Sequence, residues 1–499
     1  MRHPLFRYLL AAASGVLWGL CFSREPFPAA SWIALAPLLL LLSSPRPGRL
    51  GWVHGYAAWM TGLYWIVPTL QTFGGMALPM GIALTSLLAG YLALFHALFG
   101  WLGAKIWQRW SAGRLLVLPA LWAALEWLRT YLGGGFPWNL AAYSWVDVPG
   151  ALPLAAWIGA YGISFLVVLT SAAVAASIQR RRWEPAAIGL LVPLLLLALA
   201  GRWSVRQDAR ALEQMAGFGH AVDLLQPNIP NLVAFDETVM MRNHLRLMEQ
   251  SLAACQPGSL VVWPESAEWP FIHHRSELLD ADLARLIDRG CTVLFNSISA
   301  APGDASYNSA FLLSPGGTEA RYDKHHLVPF GEYVPFRGVF GWIDKLSRNA
   351  GEFRPADQTV LLPWEGEKIG MAICYEVVFP AETAALVRQG ATLLISITND
   401  AWYGDTSAPW QHLRAARFRA AENRRPLLRA AVTGVSAYIA PDGSVHDQLG
   451  VYQEGVIHLR VLGSRELTPF SRAPWLVPAL CSLLAAAAFG VYFARRNRP

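Results

Sequence analysis

The sequence predicts a membrane-embedded bundle of eight α-helices joined to a separate α/β domain. Of the 499 residues, 54% are hydrophobic and only 15% are charged, whereas soluble domains carry about 25% charged residues. The charges are also uneven: residues 1–201 hold 12 basic and 4 acidic residues, and the rest of the chain holds 28 and 30. The hydrophobic pattern changes at about residue 222, from long apolar stretches to short ones. These observations exclude a disordered chain and a single soluble globule.

Eight apolar segments are predicted to span the bilayer, because about 20 apolar residues cross a hydrocarbon core of about 30 Å. Several are short or interrupted by proline or glycine, which neighbouring helices tolerate. The alternative for the first segment is a signal peptide, but it lacks a small-residue cleavage site and further spans follow at once. The eight segments are Tyr8–Phe22, Pro28–Leu42, Trp52–Leu70, Ala77–Gly103, Leu115–Leu132, Ala151–Ile178, Pro185–Ala200 and Trp475–Phe493.

Basic residues in the short loops predict the orientation, since such residues remain on the cytoplasmic side. They occur in every second connection, whereas the loop 133–150 carries only Asp147. Both termini are therefore expected in the cytoplasm. We predict seven helices in residues 1–201, an extracytoplasmic domain in 202–474, and the last helix with a basic cytoplasmic tail in 475–499. The basic loop residues are Arg2, Arg7, Arg46, Arg49, Lys105, Arg109, Arg114, Arg180, Arg181, Arg182, Arg495, Arg496 and Arg498.

Two charged residues lie inside the fifth predicted span. Glu126 and Arg129 are three positions apart, so their side chains share one face of the helix. Charges in lipid are unfavourable unless they are paired or face a cavity. The pair is interpreted either as a structural ion pair or as a contact to a lipid headgroup or substrate.

Residues 222–474 are predicted to form an α/β layered domain, because short apolar runs alternate with helical stretches. Such a domain is long enough to bury its own core. The predicted strands are Val222–Leu225, Leu260–Trp263, Thr292–Phe295, Ala310–Leu313, Ile369–Cys374, Leu393–Thr398 and Leu427–Val432. The predicted helices are Glu237–Ala254, Glu277–Asp288, Ala381–Arg388 and Gln411–Asn423.

Reactive side chains follow several of these strands. Glu265, Cys374, Asn399 and Asp400 come at strand ends, and Lys324 lies in a polar stretch between strands. Active sites of open α/β sheets form at the carboxyl ends of the strands. A thiol nucleophile needs a base and a donor that stabilises the oxyanion, and these residue types supply both. On spacing alone the alternative remains that Cys374 fills a strand end, because cysteine is often buried.

The order of four motifs adds a family resemblance. Trp263-Pro264-Glu265, Lys324 with Pro329–Glu332, Cys374-Tyr375-Glu376 and Asn399–Gly404 are similar to the successive Glu, Lys and Cys segments of the nitrilase superfamily. With the multi-span region added, the whole chain resembles the apolipoprotein N-acyltransferases, bacterial inner-membrane enzymes that complete lipoprotein acylation. The resemblance implies an αββα sandwich for the outer domain.

The resemblance also implies the roles of individual residues. Glu265 corresponds to the general base, Lys324 to the oxyanion stabiliser and Cys374 to the nucleophile. Glu332 matches a further acidic residue that orients the lysine or assists proton transfer. Tyr403 stands where phenylalanine is common, and we expect this change to be tolerated. Supporting positions are Tyr375, Glu376, Asn399 and Trp402.

The implied reaction is acyl transfer through a cysteine thioester. A phospholipid is the acyl donor, and the acceptor is the α-amine of the diacylglyceryl-cysteine of an apolipoprotein. The resemblance implies a multi-pass protein of the bacterial inner membrane with its catalytic domain on the periplasmic side. We expect a monomer in contact with the bilayer, with no cofactor and no nucleic-acid partner.

Two other function classes remain open. One is a membrane-tethered amidase or nitrilase that passes its intermediate to water, although a single anchor would suffice for such an enzyme. The other is a transporter or receptor with an inactive nitrilase-like domain, which the intact set of Glu265, Lys324 and Cys374 disfavours. Cys255 and Cys291 both lie in the outer domain, where a disulfide is permitted, but the sequence does not show that they meet.

Two histidine pairs, His273-His274 and His325-His326, raise the alternative of a zinc site. Adjacent residues project in different directions, and the usual companion ligands are absent. We therefore predict no metal.

Large apolar residues flank two of the candidate catalytic residues, Glu265 and Glu332. They are interpreted either as core packing or as mobile arms at the bilayer interface, where tryptophan and tyrosine are favoured. We expect them to gate lipid entry. The candidate gate residues are Trp269, Phe271, Phe336, Phe340 and Trp342.

Overall fold

The chain forms two compact units, which are described here from a computed structural model. The structure describes residues 3–25, 27–110, 113–229, 236–267, 277–302, 305–333 and 353–496. The first unit comprises Met1–Pro68, Ala77–Ser204 and Ala473–Pro499, and the second comprises Thr69–Met76 and Val205–Arg472.

The first unit is helical, and helices lie at each of the predicted spans. Two of the predicted spans are broken: the second is split into two short helices, and the third is interrupted at Leu63. The helices that lie in or extend from this unit are Pro4–Leu20, Pro28–Ser31, Ala36–Leu41, Pro47–Gly62, Ile66–Thr72, Leu78–Arg109, Gly113–Arg129, Ala151–Arg180, Glu184–Phe218 and Leu476–Arg496.

Four helices among the described residues are long and apolar enough to cross a membrane: Leu78–Arg109, Ala151–Arg180, Glu184–Ser204 and Leu476–Ala494. Two shorter apolar stretches, Pro4–Leu20 and Pro28–Leu41, accompany them. These helices are consistent with a membrane protein. The full set of eight spans and its orientation remain predictions.

Glycines allow three helices of this unit to pack backbone against backbone. A Cβ atom on Gly15 would collide with the carbonyl of His54, and one on Gly51 would collide with the carbonyl of His96. Small residues permit such close approach between helices in a membrane, where dispersion contacts drive association. The helix Pro47–Gly62 therefore belongs to the bundle although it is only weakly apolar.

Glu126 and Arg129 are both buried in this unit. Glu126 Oε1 accepts hydrogen bonds from the Trp122 indole at 3.0 Å and from the Ala141 amide at 2.8 Å. Arg129 donates to the carbonyls of Phe136 at 2.7 Å and Trp138 at 2.9 Å. The two side chains hold the loop that follows their helix, and the choice between an ion pair and a headgroup or substrate contact stays a prediction.

The second unit contains two six-stranded sheets. The strand order is β12-β1-β2-β3-β4-β5 in the first sheet and β11-β10-β9-β8-β7-β6 in the second. The strands are β1 His220–Gln226, β2 Leu260–Val262, β3 Thr292–Ala300, β4 Ser306–Leu313, β5 Glu319–Asp323, β6 Leu362–Trp364, β7 Glu367–Ile373, β8 Leu393–Thr398, β9 Leu427–Ala431, β10 Ser436–Ile439, β11 Val445–Leu449 and β12 Gly455–Val461.

The two sheets pack face to face with helices outside them. One apolar cluster combines side chains of both sheets, such as Leu224 and Val262 from the first and Met371 and Ile395 from the second. A second cluster covers the other face of the first sheet with helices Glu237–Ala254 and Glu277–Asp288. Helices Pro380–Arg388 and Ala408–Asn423 pack on the second sheet, and the short helix Pro469–Arg472 lies against them. The predicted α/β domain is confirmed, and its layers are those of an αββα sandwich.

Local signals explain several of these elements. Asp236 caps the helix Glu237–Ala254, because its carboxylate accepts from the Val239 amide at 3.0 Å. β7, β8 and β9 pair in parallel, and β8 is wholly buried, which explains its continuous apolar run.

A disulfide joins Cys255, just after the helix Glu237–Ala254, to Cys291, just before β3. It therefore links the covering helix to the sheet beneath it.

Candidate active site

The three predicted catalytic residues follow strands of the second unit: Glu265 after β2, Lys324 directly after β5, and Cys374 directly after β7. All three are buried, with exposed fractions of 6%, 1% and 8% respectively. The Lys324 ammonium lies 2.8 Å from Glu332 Oε1 and 3.8 Å from Glu265 Oε1. The structure thus brings the predicted base, the predicted cation and the additional glutamate into one buried cluster.

Asn308, on β4, holds the two carboxylates in place. Its side-chain amide donates to Glu265 Oε1 at 3.0 Å and to Glu332 Oε1 at 2.9 Å. Its own oxygen accepts from Asn296 at 2.7 Å. The sequence did not point to Asn308, because it lies in the polar first half of β4, outside the predicted strand Ala310–Leu313.

Backbone amides complete the binding of both carboxylates. The Asn399 amide donates to Glu265 Oε2 at 3.0 Å, and the Val328 amide donates to Glu332 Oε2 at 2.8 Å. Each glutamate is therefore held at both of its oxygens, so its orientation is fixed before any substrate arrives.

Cys374 begins a single 3₁₀ turn, Cys374–Val378, with a left-handed backbone angle φ of 55°. Residues with a side chain rarely adopt this conformation. This angle could not be predicted from the sequence, since glycine or asparagine is the usual residue in that conformation.

The charges of the site explain the expected protonation states. Burial raises the pKa of the Glu265 carboxyl against the opposing effect of Lys324. Burial alone would lower the pKa of Lys324, but Glu332 and Glu265 raise it above its ordinary value. Burial and the charge of Glu265 raise the pKa of the Cys374 thiol far above its usual range, with Lys324 acting in the opposite direction. The Cys374 thiol is therefore neutral at neutral pH, and it would have to lose its proton for its sulfur to act as a nucleophile.

Glu376 connects the lysine segment to the cysteine turn. Its carboxylate accepts from the amides of His325 at 2.8 Å, His326 at 3.1 Å and Ile373 at 2.7 Å, and from the Tyr322 hydroxyl at 3.0 Å. These partners come from the end of β5 and from the end of β7. Glu376 thus holds the two segments together and takes no direct part in the cluster around Glu265.

His325 strengthens the same connection. Its ring lies 2.8 Å from Glu376 and 3.1 Å from Glu382. Burial alone would lower the pKa of His325, but hydrogen bonds and charge from the two glutamates raise it to about 10. The ring is therefore a cation at neutral pH, and it bridges the turn and the helix Pro380–Arg388.

The remaining supporting residues lie around the turn. The Tyr375 ring packs edge-on against Phe379, with the ring centres 5.2 Å apart. Trp402 is partly exposed; its carbonyl accepts from the Thr69 hydroxyl at 2.9 Å, and its ring packs on Phe73. Asn399 contributes the amide that binds Glu265, and its side chain accepts from the next turn.

Some predictions cannot be placed in this structure. The candidate gate residues and the pair His273-His274 lie outside the described residues, so their interpretation is unchanged. Among the residues that the structure describes, no three His, Cys, Asp or Glu side chains converge in a way that could hold a metal ion. The candidate gate residues outside the described ranges are Trp269, Phe271, Phe336, Phe340 and Trp342.

The arrangement has the parts needed for covalent acyl transfer. The site contains a thiol that could attack a carbonyl carbon, a buried carboxylate that could take the thiol proton, and an ammonium that could stabilise an oxyanion.

Comparisons with known proteins cover both units. A family model described as the apolipoprotein N-acyltransferase N-terminal domain matches residues 14–173. A second model, described as carbon-nitrogen hydrolase, matches residues 221–462. The second match spans the two-sheet unit and includes Glu265, Lys324 and Cys374.

Curated relatives match over almost the full length. An apolipoprotein N-acyltransferase of Geobacter metallireducens is 36% identical, and the match covers 97% of this chain and 96% of the relative. One of Ralstonia nicotianae is also 36% identical, covering 98% of this chain and 93% of the relative. Among solved structures, an amidase from Nesterenkonia sp. is 23% identical with a TM-score of 0.38, covering 50% of this chain and 92% of the amidase.

Proposed function

The chain belongs to the apolipoprotein N-acyltransferase family, and from this premise we propose that it moves a fatty acyl chain from a membrane phospholipid to an apolipoprotein. The acceptor is the α-amino group of the N-terminal diacylglyceryl-cysteine. The resemblance inferred from the motif order is confirmed by the family matches. The observation that carries the mechanism is the buried cluster in which Lys324 contacts both Glu265 and Glu332 beside the Cys374 turn.

The first half-reaction forms a thioester. Glu265 takes the proton of the Cys374 thiol while the sulfur attacks the ester carbonyl carbon of the phospholipid. The negative charge that develops on the carbonyl oxygen is stabilised by the Lys324 ammonium. When the carbon–oxygen bond breaks, Glu265 returns the proton to the departing alkoxide, and a lysophospholipid leaves.

The second half-reaction forms the amide. The α-amine of the acceptor attacks the thioester carbonyl, and Glu265 takes a proton from the nitrogen. Collapse of the tetrahedral intermediate breaks the carbon–sulfur bond, and the proton held by Glu265 returns to the Cys374 sulfur. A thioester is reactive enough to acylate an amine without ATP, so the scheme needs no cofactor.

We further propose a location in the bacterial inner membrane, with residues 202–474 on the periplasmic side. The alternation of basic and uncharged loops supports this orientation. The supporting roles of Glu332, Tyr375, Glu376, Asn399 and Trp402 are part of the same proposal, as is the action of the enzyme as a monomer.

Mass spectrometry of the purified protein with phospholipid tests the proposal. The parent enzyme should carry an acyl group on the Cys374 peptide, and adding an acceptor lipopeptide should discharge it. Cys374→Ala should form neither adduct nor product. Lys324→Ala should slow adduct formation by roughly 10²–10³-fold, the loss typical of one oxyanion donor. N-acylation by Cys374→Ala would show that another group is the nucleophile, and discharge to water alone would favour a hydrolase.

A further inference from the structure

The backbone of Cys374 is held in a disfavoured conformation by a group that the mechanism above does not use. A residue with a side chain remains at a φ of 55° only where its surroundings determine the conformation. The carbonyl of Cys374 lies 3.0 Å from His412 Nε2. His412 is on the helix Ala408–Asn423 and is completely buried.

The partner of Nε2 settles which way the hydrogen bond between His412 and Cys374 runs. A carbonyl oxygen only accepts hydrogen bonds, so Nε2 carries the proton that binds Cys374. Burial and the nearby Arg429 lower the pKa of His412, and Asp400 acts in the opposite direction. Its Nδ1 contacts both members of an ion pair, with an Arg429 nitrogen at 3.1 Å and Asp400 Oδ1 at 3.2 Å.

Asp400 holds Arg429 in place beside the His412 ring. Its Oδ2 accepts from Arg429 at 2.7 Å, and its Oδ1 accepts from the Thr398 hydroxyl at 2.9 Å. Burial raises the pKa of Asp400, but Arg429, His412 and Thr398 together lower it to about 2. Asp400 and Arg429 therefore form a fully buried ion pair that contacts Nδ1 of His412 and orients its ring. Gly434 leaves the room that this requires, because a Cβ there would collide with the Asp400 carboxylate.

The bond to the carbonyl has a consequence for the nucleophile. The peptide between Cys374 and Tyr375 is planar, so fixing the carbonyl also fixes the direction of the Tyr375 N–H. It also restrains the rotation that sets the direction of the Cys374 side chain. A shift of about 1 Å in a reacting atom slows a reaction by as much as about 10²-fold.

We propose that His412, oriented by Asp400 and Arg429, is a positioning residue that holds the Cys374 backbone in the conformation required for acyl transfer. This inference rests on the proposed function, which it deepens. The observation that supports this proposal is a hydrogen bond from the buried His412 ring to the carbonyl of Cys374, whose backbone has a positive φ.

Two amide substitutions at His412 provide the test. In His412→Gln the amide nitrogen reaches the position of Nε2 and keeps the bond to the Cys374 carbonyl. In His412→Asn it reaches only the position of Nδ1, and that bond is lost. The maximal rate of acyl-adduct formation on Cys374 should fall about 10²-fold in His412→Asn and by no more than about five-fold in His412→Gln. The half-saturating phospholipid concentration should stay within about two-fold of the parent in both, because His412 does not contact lipid in this scheme.

Alkylation by iodoacetamide provides a second readout. This reagent reacts at a saturated carbon and forms no oxyanion, so it reports access to the thiol and its ionisation but not the geometry of acyl transfer. The alkylation rate of Cys374 should change by less than about three-fold in both variants. General loosening of the fold would instead expose the buried thiol and raise that rate.

His244 supplies a matched control in the same unit. Its ring is also buried, lies 2.8 Å from Asp282, and belongs to a His–Asp–Arg set completed by Arg285. Removing a buried histidine there, as His244→Asn, should lower the melting temperature without changing the rate of adduct formation.

The outcomes separate this proposal from the proposed function. Absence of an adduct on the parent enzyme contradicts the proposed function itself. A normal parent with equal rates for His412→Gln and His412→Asn overturns the positioning role. Failure of both variants to fold also overturns it, because the network would then belong to the fold and not to the nucleophile.

Discussion

Asn308 is the position where one substitution should most change the balance of the catalytic cluster. Asn308→Asp keeps the shape of the side chain but replaces its two donated hydrogen bonds by a carboxylate oxygen. That oxygen would lie about 3 Å from Glu265 Oε1 and from Glu332 Oε1, where the amide now lies at 3.0 and 2.9 Å. At an effective dielectric constant of about 20, each pair of charges would repel by about 5–6 kcal/mol. The cluster will relieve this repulsion by binding a proton.

Because the cluster in Asn308→Asp binds an additional proton, we expect the pH dependence of adduct formation to change. At neutral pH the rate in Asn308→Asp should fall by about 10²-fold, because the base is protonated or displaced. The acid limb of the rate profile should move up by at least about one pH unit, since 1.36 kcal/mol corresponds to one unit. Asn308→Leu removes the same donors without adding charge, so it should lower the rate and leave the acid limb within about half a unit of the parent.

The assay is single-turnover acylation of Cys374 by phospholipid between pH 5 and pH 9, followed by mass spectrometry. Superimposable pH profiles for the parent and Asn308→Asp would refute the reasoning. So would identical profiles for Asn308→Asp and Asn308→Leu, because the charge would then have no effect beyond the loss of the donors.

Three further predictions address stability and topology. The disulfide between Cys255 and Cys291 closes a loop with a sequence separation of 36, so replacing both residues by serine should lower the free energy of unfolding by about 4 kcal/mol; unchanged denaturation curves would contradict this. In the folded state Glu376 and Glu382 raise the pKa of His325 from its ordinary 6.5 to about 10, so its stabilising contribution is complete below pH 6.5 and disappears as the pH rises through 10. The difference in unfolding free energy between the parent and His325→Gln should therefore shrink from pH 7 to pH 10, and a constant difference would exclude the ionic contribution. A reporter that is active only outside the cytoplasm should be active when inserted at the exposed turn Gly316-Gly317 and inactive after Arg182, and the opposite pattern would reverse the predicted orientation.

The sequence predicted the buried strands better than the edge strands, for a physical reason. β8 is covered on both faces, so its residues form a continuous apolar run that is visible in the sequence. β5 and β11 are the outermost strands of their sheets and expose several side chains. Their mixed polarity resembles that of loops, so the sequence did not predict them. Each is a strand because it pairs with the preceding strand across a short turn, and an apolar pattern does not report that pairing.

The membrane unit shows the same limit in another form. Hydropathy located helices at each predicted span, but it did not reveal that the segment Trp52–Leu70 contains a break at Leu63. It also missed the function of the glycines in Pro47–Gly62, which allow close helix packing. Apolar composition indicates how favourably a segment transfers from water into lipid. The residues at which a helix begins and ends depend instead on the neighbouring helices that it contacts.

The candidate site divides similarly between motif residues and their partners. Glu265, Lys324 and Cys374 were selected because reactive groups in a fixed order are conspicuous. Asn308 and His412 were missed because their importance depends on partners 43 and 38 residues away. A single amide in a strand or a single histidine in a helix gives no local signal for such a contact. Only the folded structure shows that one orients the base and the other contacts the nucleophile.

The charge balance of the cluster is suited to both half-reactions. Glu265 and Glu332 place two carboxylates beside the single ammonium of Lys324, all of them buried or nearly so. During thioester formation the proton moves only from Cys374 to Glu265 and then leaves with the alcohol, so the cluster regains its net negative charge. That charge attracts the acceptor, whose α-amine is largely an ammonium ion at neutral pH. The ammonium must release one proton to solvent before the neutral amine can attack. In the proposed mechanism Glu265, whose pKa burial raises, then takes the second nitrogen proton and returns it to the Cys374 sulfur. The same residue therefore serves the thiol in the first step and the amine in the second, and Lys324, held by Glu332, stabilises the oxyanion in both.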